Sequence, residues 1–274
     1  MLFIMPLRCT VIITKLFSCL LTLLLAAGEV ESVTQLRDVV FILCARSSTI
    51  LRYDSVTHHR MTDIECPGMM SPHDIVACEQ TTRLYIADYE CVFRVSANGT
   101  DVRRWLDTVR PWTLSVRSAR LLVTSVEKKQ LVLFTPGGDE LRHVQLPLHL
   151  MLRHGVETPT GTFVISYCDG ELSRNEIAEI NNDGEILRRF RRFSPQSVFW
   201  PDHLMVSCGG KILVADAYNS CVLLMDSKLV LRRVIIDEHQ LKYKPLRGLC
   251  YVEQTGQLLV ALNDTVAVYS LLSH

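Results

Sequence analysis

One pattern recurs along this chain about every 43 residues, and it restricts the fold more than any other feature. From Pro72 the chain reads Pro72-His-Asp-Ile-Val-Ala-Cys78, a turn, Arg83-Leu-Tyr-Ile-Ala-Asp88, Cys91-Val-Phe-Arg-Val95, the turn Asn98-Gly99, then Asp101-Val-Arg-Arg-Trp105. The pattern returns at Pro201 with His203-Leu-Met-Val206, Lys211 to Asp216, Cys221 to Met225 and Leu229 to Ile236. Looser copies start at Pro111 and Arg153, and a last one at Pro245. These anchors lie 39, 42, 48 and 44 residues apart. Each unit is four short apolar runs joined by tight turns. Such a sheet cannot cover both of its faces, so neighbouring units must stack on it.

A repeat of that length with four strands is a propeller blade. The 274 residues hold about six of them, the first being Val39 to Cys44, Ile50 to Tyr53 and Arg60 to Glu65. The expected fold is all-β, a six-bladed β-propeller of four-stranded antiparallel blades. The last unit stops after three strands, so Val33 to Leu36 is expected to pair with the chain end and close the ring. Hydrophobic residues make up 48% and charged ones 21%, which excludes a disordered chain. With 29 basic and 29 acidic residues the net charge is zero, which argues against nucleic acid as partner.

Residues 1–28 read as a signal peptide. Arg8 and Lys15 precede the apolar or small run Leu16 to Ala27, and Ala26 and Gly28 fit a cleavage site that leaves Glu29 first. An uncleaved membrane anchor is the alternative. The propeller then occupies residues 29–274 as a single domain, expected to be monomeric. Asn98-Gly-Thr100 and Asn263-Asp-Thr265 are glycosylation sequons in predicted hairpin turns, making Asn98 and Asn263 the candidate glycan sites. Cys78 and Cys91, like Cys208 and Cys221, fall at opposite ends of a blade, too far apart for a disulfide. Free thiols are therefore expected, in tension with the signal.

Leu84-Tyr-Ile-Ala-Asp88 with Val92-Phe-Arg-Val95, and Ile212-Leu-Val-Ala-Asp216-Ala-Tyr-Asn219, resemble the NHL-repeat type of six-bladed propeller (a TolB-like fold) over about residues 38–274. Glu157-Thr-Pro-Thr-Gly-Thr-Phe-Val164 is similar to uncharacterised invertebrate proteins of that type. Asn98-Gly-Thr-Asp-Val-Arg-Arg104 resembles low-density-lipoprotein-receptor propellers, but Tyr85-Ile-Ala-Asp88 replaces their Tyr-Trp-Thr-Asp signature.

Histidines recur near the start of the first strand in three units: His73, His154 and His203. First strands line the central channel, so three neutral imidazoles there could hold zinc and leave a position for water. Pro72-His-Asp-Ile-Val-Ala77 resembles a zinc-ligand segment of peptidylamidoglycolate lyase, a secreted NHL-type enzyme with three zinc histidines. The resemblance assigns His73 and His154. It assigns His203 only without the Pro201 alignment, which puts Asp202 in the slot; Trp112 and Leu246 fill the slots of the third and sixth units. Asp216-Ala-Tyr218-Asn219-Ser220 is similar to its segment carrying a catalytic tyrosine, here Tyr218. The opposing reading makes these histidines ordinary polar residues of a wet channel, with no cofactor, no stoichiometric zinc and no catalytic residue.

Arg103-Arg104, Arg188-Arg189 with Arg191-Arg192, and Arg232-Arg233 fall on predicted outer strands, where charge discourages edge-to-edge pairing. Asp88 and Asp216 hold equivalent positions and read as turn caps. Tyr89, Trp105 and Tyr218 read as packing. Two functions follow. The first is a secreted or lumenal, non-enzymatic binding module for a protein or glycan. The second is a metal-dependent lyase or hydrolase at the channel mouth.

Overall fold

The computed structural model describes residues 29–107, 110–191 and 198–271, and the backbone of 17–24. It contains 24 strands in six four-stranded antiparallel sheets. Strand β1 (Phe17–Leu24) comes first. Blade 1 is β2 (Val30–Leu36), β3 (Val39–Cys44), β4 (Thr49–Asp54) and β5 (Ile64–Glu65). Blade 2 is β6 (Pro72–Cys78), β7 (Arg83–Asp88), β8 (Val92–Ser96) and β9 (Val102–Leu106). Blade 3 is β10 (Thr113–Arg117), β11 (Arg120–Ser125), β12 (Gln130–Phe134) and β13 (Glu140–Gln145). Blade 4 is β14 (Leu150–Glu157), β15 (Phe163–Asp169), β16 (Arg174–Ile180) and β17 (Ile186–Phe190). Blade 5 is β18 (Pro201–Val206), β19 (Ile212–Asp216), β20 (Cys221–Met225) and β21 (Leu231–Ile236). Blade 6 is β22 (Leu246–Val252), β23 (Gln257–Leu262), β24 (Thr265–Leu271) and, outermost, β1.

Six apolar clusters hold the ring, one at each blade interface. Phe41, Leu43 and Ile50 of blade 1 meet Ile75, Ile86 and Phe93 of blade 2. The ring closes where Val33, Val40 and Ile42 of blade 1 meet Leu259, Val266 and Val268 of blade 6. The middle strands are buried on both faces, which is why β19 and β12 read as unbroken apolar runs.

The expected pairing of Val33 to Leu36 with the chain end is not found. Those residues belong to β2, the innermost strand of blade 1, paired with β3. The two-residue β5 supplies the fourth strand of that blade. The partner of β24 is β1, from Phe17 opposite Leu271 to Leu24 opposite Thr265. The segment read as the apolar core of a signal thus holds a strand position. Residues 1–16 and 25–28 lie outside the described part.

Arginine pairs sit on outermost strands, as expected, and carboxylates neutralise them. Arg104 meets Asp107 at 3.0 Å, Arg188 meets Glu179 at 2.8 Å, and Arg232 meets Asp226. Arg192 lies outside the described residues. The eight described cysteines are free thiols, five of them buried.

Candidate metal centre in the channel

The inner strands carry a repeated irregularity that builds the site. In five blades a β-bulge interrupts the pairing of the innermost strand with its neighbour, between Val30 and Ser32, Pro72 and Asp74, Leu152 and His154, Pro201 and His203, and Leu246 and Gly248. A bulge adds one residue to one strand and re-aims the side chains around it. The extra residues Glu31, His73, Arg153, Asp202 and Arg247, with Trp112 in the sixth place, rim the mouth. The residues after them form the next ring down: Ser32, Asp74, Thr113, His154, His203 and Gly248. They stand opposite Leu43, Ala87, Thr124, Ser166, Ala215 and Ala261, and all but Thr113 come directly after a bulge.

That ring closes the axis. Asp74 of blade 2 faces blade 5, where His203 brings Nε2 to 3.9 Å from Asp74 Oδ1. His154 brings Nε2 to 4.0 Å from Oδ2. The two imidazoles lie 4.2 Å apart between centroids, tilted by 46°. Gly248 gives the ring room, since a Cβ there would stand 3.3 Å from Ser32 Oγ.

Protein donors hold the Asp74 carboxylate in place. Ser32 Oγ–H donates to Oδ1 at 2.7 Å, and the Ile75 N–H donates to the same oxygen at 2.9 Å. The Leu114 N–H donates to Oδ2 at 2.8 Å. An oxygen accepts about two bonds, so Oδ2 keeps one site open toward the histidines. Both ring nitrogens of His154 and Nδ1 of His203 are buried, with no hydrogen-bond partner among the described residues.

Burial sets the protonation states. It pushes the Asp74 carboxyl up to about 6, against the pull of its three hydrogen bonds. It drives His203 down to about 4, and His154 well below the usual imidazole range with the help of His203. At neutral pH the cluster is therefore one carboxylate and two neutral imidazoles, a hard and borderline donor set suited to zinc and similar divalent ions. One ligand atom from each residue lies within 4.8 Å of the others. In the tetrahedral shell of a zinc-class ion, ligand atoms stand about 3.3–3.6 Å apart. The cluster would hold such an ion after its side chains close by up to about an ångström.

The structure thus brings together two of the three candidate histidines and replaces the third. His73 is a bulge residue at the mouth, stacked on Trp112 at 4.2 Å. Asp74 takes its place. The two prolines carried the signal: aligning Pro72 with Pro201 matches His73 to Asp202 and Asp74 to His203. Trp112 belongs to the mouth, and the sixth blade offers Arg247 and Gly248 rather than Leu246. Tyr218 is exposed on the β19–β20 turn and is no part of the buried cluster.

Around the mouth, the Arg153 guanidinium lies 3.7 Å from the Trp200 ring and 3.6 Å from Asp202. Trp112, Trp200, Tyr89 and Tyr218 are exposed, whereas Trp105 packs on Tyr85. The packing expectation thus holds for Trp105 and fails for the two tyrosines, because their turns project past the sheet. Asp88 accepts the Ser71 N–H at 2.6 Å, and Asp216 accepts the Trp200 N–H at 3.1 Å, so each ties down the segment that enters its blade; Asp216 also accepts from its own turn, from the Asn219 N–H at 3.4 Å and side-chain amide at 2.7 Å. Asn98 is exposed in its turn, while Asn263 is half-buried and accepts a bond from Arg247. Opposite the mouth, a chamber of about 420 Å³ reaches up to His203, walled by Val76, Val156, Met205 and Cys250 and rimmed by Arg117 and Glu253.

No family model matches this chain, and no curated protein matches it. Solved structures do. A catalytically inactive virginiamycin B lyase from Staphylococcus aureus with quinupristin is 15% identical, with a TM-score of 0.65 over 90% of this chain and 82% of that one. The selenomethionine-substituted enzyme from the same organism is 13% identical at 0.65, over 93% and 100%. A streptogramin B lyase is 11% identical at 0.62, over 93% and 98%. At these identities the likeness is one of fold.

Proposed function

We propose that this propeller, of NHL type in its repeats, is a ligand-binding protein that holds a divalent metal ion between Asp74, His154 and His203. His154 carries the reading. A fully buried imidazole with neither nitrogen bonded is costly, and an ion between it and Asp74 removes that cost. When bound, a zinc-class ion polarises an oxygen of the ligand. The chain's own part is to fix the carboxylate through Ser32 and Leu114, keep both imidazoles neutral, and exclude bulk water. The chamber below is of a size that suits a small molecule. A protein or glycan partner would meet the exposed aromatic side chains of the mouth face.

Elemental analysis of purified protein is expected to find one divalent ion per chain, absent from Asp74→Ala and His154→Ala. Protein that binds no zinc when titrated calorimetrically would overturn the proposal. His154→Leu separates the site from simple packing. In chelator it should melt higher than the parent, since an unbonded imidazole is gone; in zinc it should melt lower.

Binding should weaken about tenfold per pH unit below about 6, where Asp74 takes up the proton that the ion must displace. The metal-free protein follows two opposed terms. Asp74 is raised, so its contribution to stability is present at low pH and lost as pH rises through about 6. His203 is depressed, so its contribution is present above the usual imidazole value and lost as pH falls through about 4. Zinc titrations at pH 5, 6 and 7 measure the first effect, and a flat profile would exclude Asp74 as a ligand.

A second reading, a metal-dependent lyase or hydrolase, draws support from the same cluster and from the lyases that share the fold. Turnover that requires the ion and fails in Asp74→Ala would favour it over binding alone.

A further inference from the structure

The candidate centre is the ceiling of the chamber on the far side of the ring. Of its three residues, His203 also lines the chamber. Side chains of a strand return to the same side every second residue. Two residues beyond Ser32, Asp74, Thr113, His154, His203 and Gly248 stand Thr34, Val76, Ser115, Val156, Met205 and Cys250, and this whole belt lines the chamber. We infer that the belt holds the body of a small aliphatic monocarboxylate whose carboxylate reaches the ion beside His203 from the chamber.

The inference rests on the metal reading and adds to it the ligand's class and its side of approach. Charge fixes the head group. A divalent ion with the Asp74 carboxylate and two neutral imidazoles keeps one positive charge and, in a zinc-type shell, one position for an outside ligand. A buried charge needs a partner of opposite sign, which one anionic oxygen supplies. A second negative charge on the ligand, as in a phosphate, would lie in the belt, which carries no cation. Cys250 is the belt's one ionisable residue, and burial pushes its thiol up, so it stays neutral. Its Sγ lies 3.9 Å from Thr34 Oγ1, which leaves Ser115 the only other hydroxyl of the belt.

The belt fixes the body. Val76, Val156, Met205 and Cys250 offer apolar or soft surface, and all but Val156 are half-buried, hence open to a ligand. Arg117 and Glu253 rim the far end. Arg117 ends the strand that starts at Thr113, so the wall runs for about 13 Å at roughly 3.3 Å per residue, room for a chain of up to about eight carbons.

Calorimetry of the zinc-loaded protein with butanoate, hexanoate and octanoate tests this. Affinity is expected to rise about fourfold per added methylene as the belt covers it. Hexylamine, which carries a cation on a chain of the same length, should not bind, and removal of zinc by a chelator should abolish hexanoate binding. Ser115→Phe plugs the belt without touching the metal ligands. It should lose hexanoate and keep the parent's zinc affinity; Ser115→Leu, a smaller plug, serves if that variant does not fold. Protein that binds no zinc overturns the metal reading, and this inference with it. Protein that binds zinc overturns this inference alone if it takes no carboxylate, takes every length equally, or takes hexylamine as well as hexanoate. A plugged variant that binds hexanoate like the parent does the same.

Discussion

Deleting residues 266–274 should leave no folded protein. The cut removes most of β24, which serves two cores at once. Val266 and Val268 fill the closing interface between blades 6 and 1. Ala267 and Tyr269 fill the interface between blades 5 and 6, where Tyr269 O–H also donates to the Gln240 carbonyl at 3.3 Å. Each large buried side chain contributes about 1.5–3 kcal/mol. The lost pairing of β23 and β1 adds to this. A typical domain has only about 5–15 kcal/mol to lose. Soluble expression and circular dichroism measure the outcome, and a soluble truncated chain with the parent's melting temperature would refute the role given to β24.

Glu176→Ala should be the most damaging single substitution away from the channel. Glu176 is fully buried on β16. Tyr167 O–H donates to Oε2 at 2.7 Å, Arg191 Nε lies 2.6 Å from Oε1, and Arg189 Nη1 stands 3.7 Å from Oε2. Removing the carboxylate leaves a buried phenol unpaired and takes the partner from two guanidinium groups, the exposed one of Arg189 and the half-buried one of Arg191. Breaking such a network costs about 3 kcal/mol, a fall of about 10 °C in a domain of this size. Tyr167→Phe removes one bond and should cost about 1 kcal/mol. Urea titration of both variants checks the order; equal losses would show that the arginines need no partner.

The blades were legible because each is a local pattern. Five of the six inner strands, β6, β10, β14, β18 and β22, start within three residues of a sequence anchor, whereas β2 occupies residues expected to pair with the chain end. The sixth blade was legible as incomplete, but its missing strand was sought next to blade 1 instead of in the apolar segment at 17–24. Hydrophobicity alone does not tell a signal core from a strand.

The candidate centre was half legible. His154 and His203 stand out as channel residues, but Asp74 does not, because an acid beside a histidine reads as surface. Its role depends on the bulge at His73, one extra residue that turns His73 to the mouth and Asp74 to the axis. A bulge is a matter of pairing between two strands, and only the alignment of Pro72 with Pro201 hints at it in the sequence.

By itself, then, the sequence determined the blade, its length, its number and the charged outer strands, since each follows from alternation, turns and edges within about 43 residues. The tertiary structure decided what meets at the axis. Asp74 and His203 come from opposite blades, and their meeting at 3.9 Å requires the ring to close and two bulges to fall in register. The tertiary structure also chose β1 as the partner of β24, a pairing between residues near opposite ends of the chain that no local pattern encodes.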